Sequence, residues 1–208
     1  MKLSVGIWQA DVLDIGATLR KIDESTADAV HFDIMDGIFA PDITHGPKII
    51  ADLRKLSKKT FEAHLMTIDP AAQAARFAEA GADEIIVHAE SDGAMDAMRI
   101  AKSLGLKAGI AIRLETKIEK LKPYLKIADK IQIMTAATGK SGQPFFEKSL
   151  DRIARAKENF AGEIYADGGI NYDTAKLCEQ AGATGIVSGS FITRQKDFAA
   201  AAGRLKNP

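Results

Sequence analysis

Two histidines and two aspartates stand at the ends of strand-like segments in this chain, and as residue types they make a ligand set for one divalent metal ion. His31 and Asp33 lie two residues apart in the apolar run Ala29-Val30-His31-Phe32-Asp33-Ile34-Met35. Side chains on a strand alternate faces, so His31, Asp33 and Met35 share one face while Phe32 and Ile34 point the other way. Asp36-Gly37 then turns the chain into a loop with prolines at 41 and 47, which leaves the polar pair at a strand's C-terminal end. His64 occupies a similar place in residues 60–66, and Asp167 in residues 163–167 just before Gly168-Gly169. Neutral imidazoles and carboxylates suit Zn, Mn, Fe or Co, and a mixed nitrogen and oxygen set does not choose among them. Any one of the four reads equally well as a buried polar group satisfied by a neighbour; four at strand ends argue for a common site.

A second constellation fits a phosphate. Gly168-Gly169 and Gly189-Ser190 each follow a strand-like run and bring bare backbone N–H groups to the start of a helical segment, a common anion cradle. Glycine is also the default turn residue, so the two pairs carry weight together rather than singly. The loop at residues 138–143 is a candidate lid over that group, with Lys140 as a possible added charge or simply a solvated lysine.

The elements that must position these groups follow from hydrophobic period and punctuation. Strand-like runs fall at residues 3–8, 29–35, 60–66, 84–88, 107–112, 130–134, 163–167 and 185–188, with helical segments between them. Asp69-Pro70 opens a helix over 71–80 that Gly81 closes, and Asp173 and Gly182 bracket a later one. Glu79-Ala80-Gly81-Ala82 and Gln180-Ala181-Gly182-Ala183 echo each other as helix ends leading into strands. Eight strands alternating with helices, without a linker-like tract, predict an α/β fold: a single (β/α)8 TIM barrel over residues 1–208. An open dinucleotide-binding sheet would carry clustered glycines after its first strand, where this chain has Trp8-Gln9-Ala10-Asp11.

Composition narrows the partners. The 28 basic and 28 acidic side chains cancel, which argues against a general nucleic-acid or membrane-surface binder and for a small-molecule ligand. Polar residues interrupt the N-terminal apolar run well short of a signal or spanning segment, so a cytoplasmic protein is expected. Cys178 is the only cysteine, lies in a helical segment and reads as a buried structural thiol.

Several blocks resemble the ribulose-phosphate 3-epimerase family, which includes allulose-6-phosphate 3-epimerase relatives, nearly end to end. They are His31-Phe32-Asp33-Ile34-Met35-Asp36-Gly37 with Pro41-Asp42-Ile43-Thr44, His64-Leu65-Met66, Met134-Thr135 with Gly142-Gln143, and Asp167-Gly168-Gly169-Ile170. The resemblance implies that His31, Asp33, His64 and Asp167 bind one divalent ion and that Asp33 and Asp167 are the acid/base pair. It implies further that Met35, Met66 and Met134 line the cavity, that Gly142, Gly168, Gly169, Gly189 and Ser190 bind substrate, and that the protein is a homo-oligomer. The implied reaction is epimerisation at C3 of a ketose phosphate, foremost D-ribulose 5-phosphate to D-xylulose 5-phosphate in carbohydrate metabolism. A proton next to a ketone is too weakly acidic for an unaided carboxylate, so a metal-stabilised enediolate with proton transfer between two carboxylates is expected, and no organic cofactor.

Competing assignments are an epimerase or isomerase of another ketose phosphate, such as allulose 6-phosphate, and a non-catalytic sugar-phosphate-binding barrel. Aldolase or decarboxylase relatives with an Asp-x-Lys-x-x-Asp motif fit less well, because the chain has no such motif. Departures from the family pattern touch the rim: Gly6 where a serine is usual, Arg113-Leu114-Glu115, and Ala136-Ala137-Thr138-Gly139. Arg113 is expected either to meet a charged substrate group or, preferably, to pair with Glu115 in solvent.

Overall fold

A computed structural model describes residues 1–139 and 142–208. Eight parallel strands close into a barrel in sequence order: β1 Lys2–Gly6, β2 Ala29–Met35, β3 Thr60–Met66, β4 Glu84–His88, β5 Lys107–Ile112, β6 Lys130–Met134, β7 Glu163–Asp167 and β8 Gly185–Ser188. Seven of these match the spans predicted from the apolar runs. The first is shorter than predicted at its end, because Ala10 N–H turns back onto the Ile7 carbonyl and draws Trp8 and Gln9 out of the ladder.

The helices α1 Ile15–Glu24, α2 Pro47–Arg54, α3 Ala71–Glu79, α4 Ala94–Ser103, α5 Ser149–Asn159, α6 Tyr172–Gln180, α7 Ser190–Thr193 and α8 Phe198–Lys206 surround the barrel. Between β5 and β6 the described chain makes only a 3-10 turn at Ile118–Leu121. The two echoing segments end α3 and α6 identically: Gly81 and Gly182 take positive φ near 100°, and the next N–H reaches back to Phe77 and Cys178 carbonyls respectively. The start of α6 differs from expectation. Its cap is Asn171 rather than Asp173; the Asn171 side chain accepts from Asp173 and Thr174 N–H, and Thr174 Oγ1 accepts the Asn171 N–H. No helix among the described residues is long and apolar enough to cross a membrane.

The outward faces of the strands pack Ile, Val, Leu and Phe against the helices, so the core is a ring between the two layers. The barrel interior is polar at its base. Lys130, 1% exposed, donates to Glu62 at 2.6 Å and Glu84 at 2.9 Å and lies 4.1 Å over the Tyr165 ring, while Ser4 donates to Glu62 at 2.9 Å. Tyr165 fits only because β8 has a glycine opposite it; a Cβ on Gly185 would lie 2.3 Å from the ring. Strand register lifts the next inward side chains one layer higher, pairing Asp33 with His64, Met35 with Met66 and Met134 with Asp167.

Candidate active site

The four predicted ligands meet at the C-terminal mouth of the barrel. His31 and Asp33 come from β2, His64 from β3 and Asp167 from β7, and one donor atom from each lies within 4.8 Å of all the others. His31 Nε2 is 3.2 Å from His64 Nδ1; Asp33 Oδ1 is 3.6 Å from the first and 3.4 Å from the second, and Asp167 Oδ2 is 3.9 Å and 3.6 Å from them. The imidazoles are fully buried, whereas the Asp33 and Asp167 side chains keep 16% and 13% of their surface exposed. Of the four, therefore, the carboxylates are the groups that face the cavity.

What stands behind the imidazoles fixes their tautomers. The Glu62 carboxylate lies 2.9 Å from His31 Nδ1 and accepts its proton, leaving a lone pair on Nε2. His64 Nε2 lies 2.9 Å from His88 Nε2, and His88 Nδ1 lies 3.2 Å from Glu90. With His88 Nδ1–H donated to Glu90, His88 Nε2 accepts from His64 Nε2–H, and the inner His64 Nδ1 is left bare as well. Two nitrogen lone pairs and two carboxylates then converge on one point, an arrangement that fits a divalent cation.

The electrostatics agree. Burial opposes charge on His31, yet Asp33 and Glu62 beside it push it up to about 10, so without a cation the ring itself carries the positive charge, and the lone pair on Nε2 becomes free only when a metal ion takes the place of that proton. Burial would raise Asp33, but His31 and His64 hold it well below the usual carboxylate range. For Asp167, burial and the Asp33 and Glu62 charges outweigh His31 and push it up to about 7. Burial also lowers His88 to about 4, which keeps it neutral as the relay requires. Gln132 donates to Asp167 Oδ2 at 2.8 Å and sets the direction of that carboxylate.

Above the cluster opens a cavity of about 330 Å³. Met35, Met66 and Met134 line it, as do Gly142, Gly168, Gly169, Gly189 and Ser190. Trp8 lines it as well, and Trp8 and Phe39 pack on Met35 and Met66. At Gly168 and Gly169 φ is positive, and a Cβ there would approach Ala136 Cβ to 2.5 Å and Phe145 N to 2.7 Å, so both positions require glycine. Asp36 pins the loop after β2 by accepting N–H groups of Ile38, Phe39 and Ile68.

The altered rim segments separate into two kinds. Gly6, Ala136, Ala137 and Thr138 face the cavity. Arg113 is not paired with Glu115 among the described residues: its guanidinium lies 3.8 Å over the Phe39 ring and donates to the Phe39 carbonyl. Stacking on an aromatic face near a bare carbonyl offers Arg113 more than an exposed ion pair. Of the predicted lid, Thr138, Gly139, Gly142 and Gln143 reach the cavity wall, while Lys140 and Ser141 lie outside the described residues. Cys178 is buried in α6 with its thiol pushed up to about 12 by burial, consistent with a structural role. Sequence inspection did not single out Glu62, His88, Glu90 or Gln132, nor Arg194, the cavity's arginine. His88 was the most accessible of these, as a histidine at a strand's C-terminal end.

Comparison with known proteins agrees with the geometry. A family model described as the ribulose-phosphate 3 epimerase family matches residues 2–193. Ribulose-phosphate 3-epimerase from Synechocystis is 36% identical over 97% of this chain and 91% of its own, and that from Bacillus subtilis is 33% identical over 95% and 94%. The Aquifex aeolicus enzyme is 35% identical over 99% and 95%. Among solved structures, 3-hexulose-6-phosphate synthase from Salmonella typhimurium superposes with a TM-score of 0.78 at 19% identity, covering 100% and 97% of the two chains. A Streptococcus mutans protein named KGPDC reaches 0.79 at 18%, covering 99% and 95%. These distant likenesses establish the barrel alone. The extent of the family match and the level of identity to its members establish that this chain belongs to the ribulose-phosphate 3-epimerase family of carbohydrate isomerases.

Proposed function

We infer that the chain, as one barrel domain over residues 1–208, inverts C3 of a ketose phosphate, interconverting D-ribulose 5-phosphate and D-xylulose 5-phosphate. The observation that carries this is the convergence of Asp33 and Asp167, from β2 and β7, on one point at the cavity floor. Family membership supports the reaction class, and the names of the relatives support the sugar.

His31, Asp33, His64 and Asp167 would hold a divalent ion, whose contribution when bound is to offset negative charge developing on the substrate oxygens beside C3. Inversion needs one group to take the C3 proton from one face and another to return a proton on the opposite face. Asp33, kept ionised by the imidazoles beside it, is suited to accept. Asp167, with its proton affinity raised by burial and by Asp33, is suited to donate. In the reverse direction the roles exchange, and titration belongs to the pair. Met35, Met66 and Met134 keep water from the reacting carbon. Gly142, Gly168, Gly169, Gly189 and Ser190 take the phosphate on backbone N–H groups, with Arg194 adding positive charge, and that remote anchor holds C3 between the carboxylates. The scheme calls for no organic cofactor.

The test is solvent exchange. In D2O the protein should place deuterium at C3 of D-ribulose 5-phosphate with inversion, and Asp33→Asn or Asp167→Asn should slow this at least ~100-fold without loss of fold. Near-normal exchange in both variants, or deuterium appearing at C1 instead, would refute the assignment.

A further inference from the structure

We propose that Gln132 is a positioning residue for proton transfer: it holds Asp167 by Oδ2, so that Oδ1 is the oxygen left to serve C3. This rests on the two-carboxylate assignment above. Gln132 lies on β6 in register with Tyr165, is fully buried and is not among the residues lining the cavity, so it acts on a substrate only through another group. Its amide Nε2 donates to Asp167 Oδ2 at 2.8 Å and stands 3.2 Å from His64 Nδ1. An amide nitrogen has two hydrogens, one for each of these groups. When an ion takes the His64 lone pair, the bond to Asp167 is the one that remains, because a carboxylate oxygen has a second lone pair to accept it.

The two carboxylates are held differently. Asp167 turns Oδ2 to the imidazoles, at 3.9 Å and 3.6 Å, and to Gln132, while its Oδ1 takes no hydrogen bond from any described residue. A carboxylate with one contact still rotates about its Cβ–Cγ bond; a second donor, itself fixed by burial, removes that freedom. Asp33 has no such donor: its carboxylate faces His31 and His64 and receives no amide hydrogen from any described side chain. Loss of the Gln132 amide therefore impairs one member of the pair. Each turnover breaks the C3–H bond, leaving its electron pair on the sugar and its proton on one carboxylate, and forms a new C3–H bond with the proton of the other. An intermediate kept waiting by a slow second carboxylate goes back to the starting sugar, carrying solvent hydrogen if the first carboxylate has exchanged its proton meanwhile.

The experiment follows metal-loaded protein in D2O, from D-ribulose 5-phosphate and from D-xylulose 5-phosphate in turn, and compares deuterium in the recovered starting sugar with deuterium in the inverted product. In Gln132→Met, of similar length without the amide, this ratio of exchange to inversion should rise about 10- to 100-fold from the epimer whose proton Asp33 takes. From the other epimer it should fall, because return through Asp167 is slowed as much as delivery. Asp167→Asn identifies the first epimer, as the one from which exchange without inversion survives. Gln132→Leu gives the same readout if the methionine variant does not fold. A general loosening of the barrel slows exchange and inversion together; unchanged ratios, a shift of one sign from both epimers, or a pattern opposite to that of Asp167→Asn overturns the proposal. Metal content by elemental analysis should match the wild type, and loss of the ion with unchanged ratios would make Gln132 a support of the metal site and overturn it as well. Wild-type protein that exchanges the C3 proton of neither sugar would instead overturn the functional assignment underneath, so the two failures are told apart.

Discussion

Replacing His88 with phenylalanine should weaken metal binding by about 10- to 100-fold while leaving the rate at saturating metal near that of the wild type. His88 does not line the cavity; its part is to accept the His64 Nε2 proton at 2.9 Å while handing its own Nδ1 proton to Glu90 at 3.2 Å. Phenylalanine fills a similar volume beside Phe39, whose ring centroid is 4.9 Å away, but accepts nothing. In the metal-free variant His64 escapes the loss by moving its proton to Nδ1, where Asp33 Oδ1 at 3.4 Å can accept it. Metal binding requires Nδ1 bare, so the loaded protein alone keeps an unpaired N–H in a site with no exposed surface. An unsatisfied buried donor costs about 1–3 kcal/mol, and at 1.4 kcal/mol per factor of ten this is roughly a 5- to 150-fold loss, which brackets the range above. Competition with a chelator of known affinity, together with metal content by elemental analysis after dialysis, measures it. Unchanged affinity would refute the relay, and a large fall in rate at saturating metal would mean that His88 acts on the substrate directly.

Lys130→Met should lower stability by about 3–5 kcal/mol, because it strands the Glu62 carboxylate inside the barrel and takes from Glu84 its hydrogen-bond donor; thermal or urea unfolding reads this. Burial and the Glu62 charge, against the pull of Lys130, push Glu84 up to about 7, so the folded protein holds this proton more tightly than the unfolded chain. The stability this confers is full below the unfolded value and fades as pH rises to about 7; Glu84→Gln should remove its share of the fall in unfolding free energy between about pH 4.5 and 7, leaving the share that Asp167, also raised to about 7, contributes. Gly169→Ala, with φ of +66° and a new Cβ 2.7 Å from Phe145 N, should cost about 1–3 kcal/mol of stability and raise KM for the phosphorylated sugar more than it lowers kcat.

How far the sequence could be read depended on whether a feature is local. Strand limits and the Gly81 and Gly182 helix ends were legible because alternation, apolar runs and glycine punctuation are written in adjacent residues. So was the inner face of β2, since period two alone puts His31 and Asp33 together. Glu62 and Gln132 were not, because each acts on a side chain from another strand: Glu62 on His31 of β2, and Gln132 on Asp167 of β7. Only the register of the closed barrel reveals those meetings. Arg113 was misread for a related reason. Two residues away Glu115 is a natural partner on paper, but the loop after β2 delivers the Phe39 ring and carbonyl to the guanidinium.

The order of the strands around the barrel has a consequence for biosynthesis. Three of the clustered donors are present once the chain has grown past His64, but the fourth waits for Asp167 on the seventh strand, and the ring seals only when β8 docks on β1. A nascent chain emerging from the ribosome therefore lacks one of the two carboxylates assigned above to proton transfer until the seventh strand is made. The full donor set and the last seam of the sheet are thus completed by the same C-terminal part of the chain.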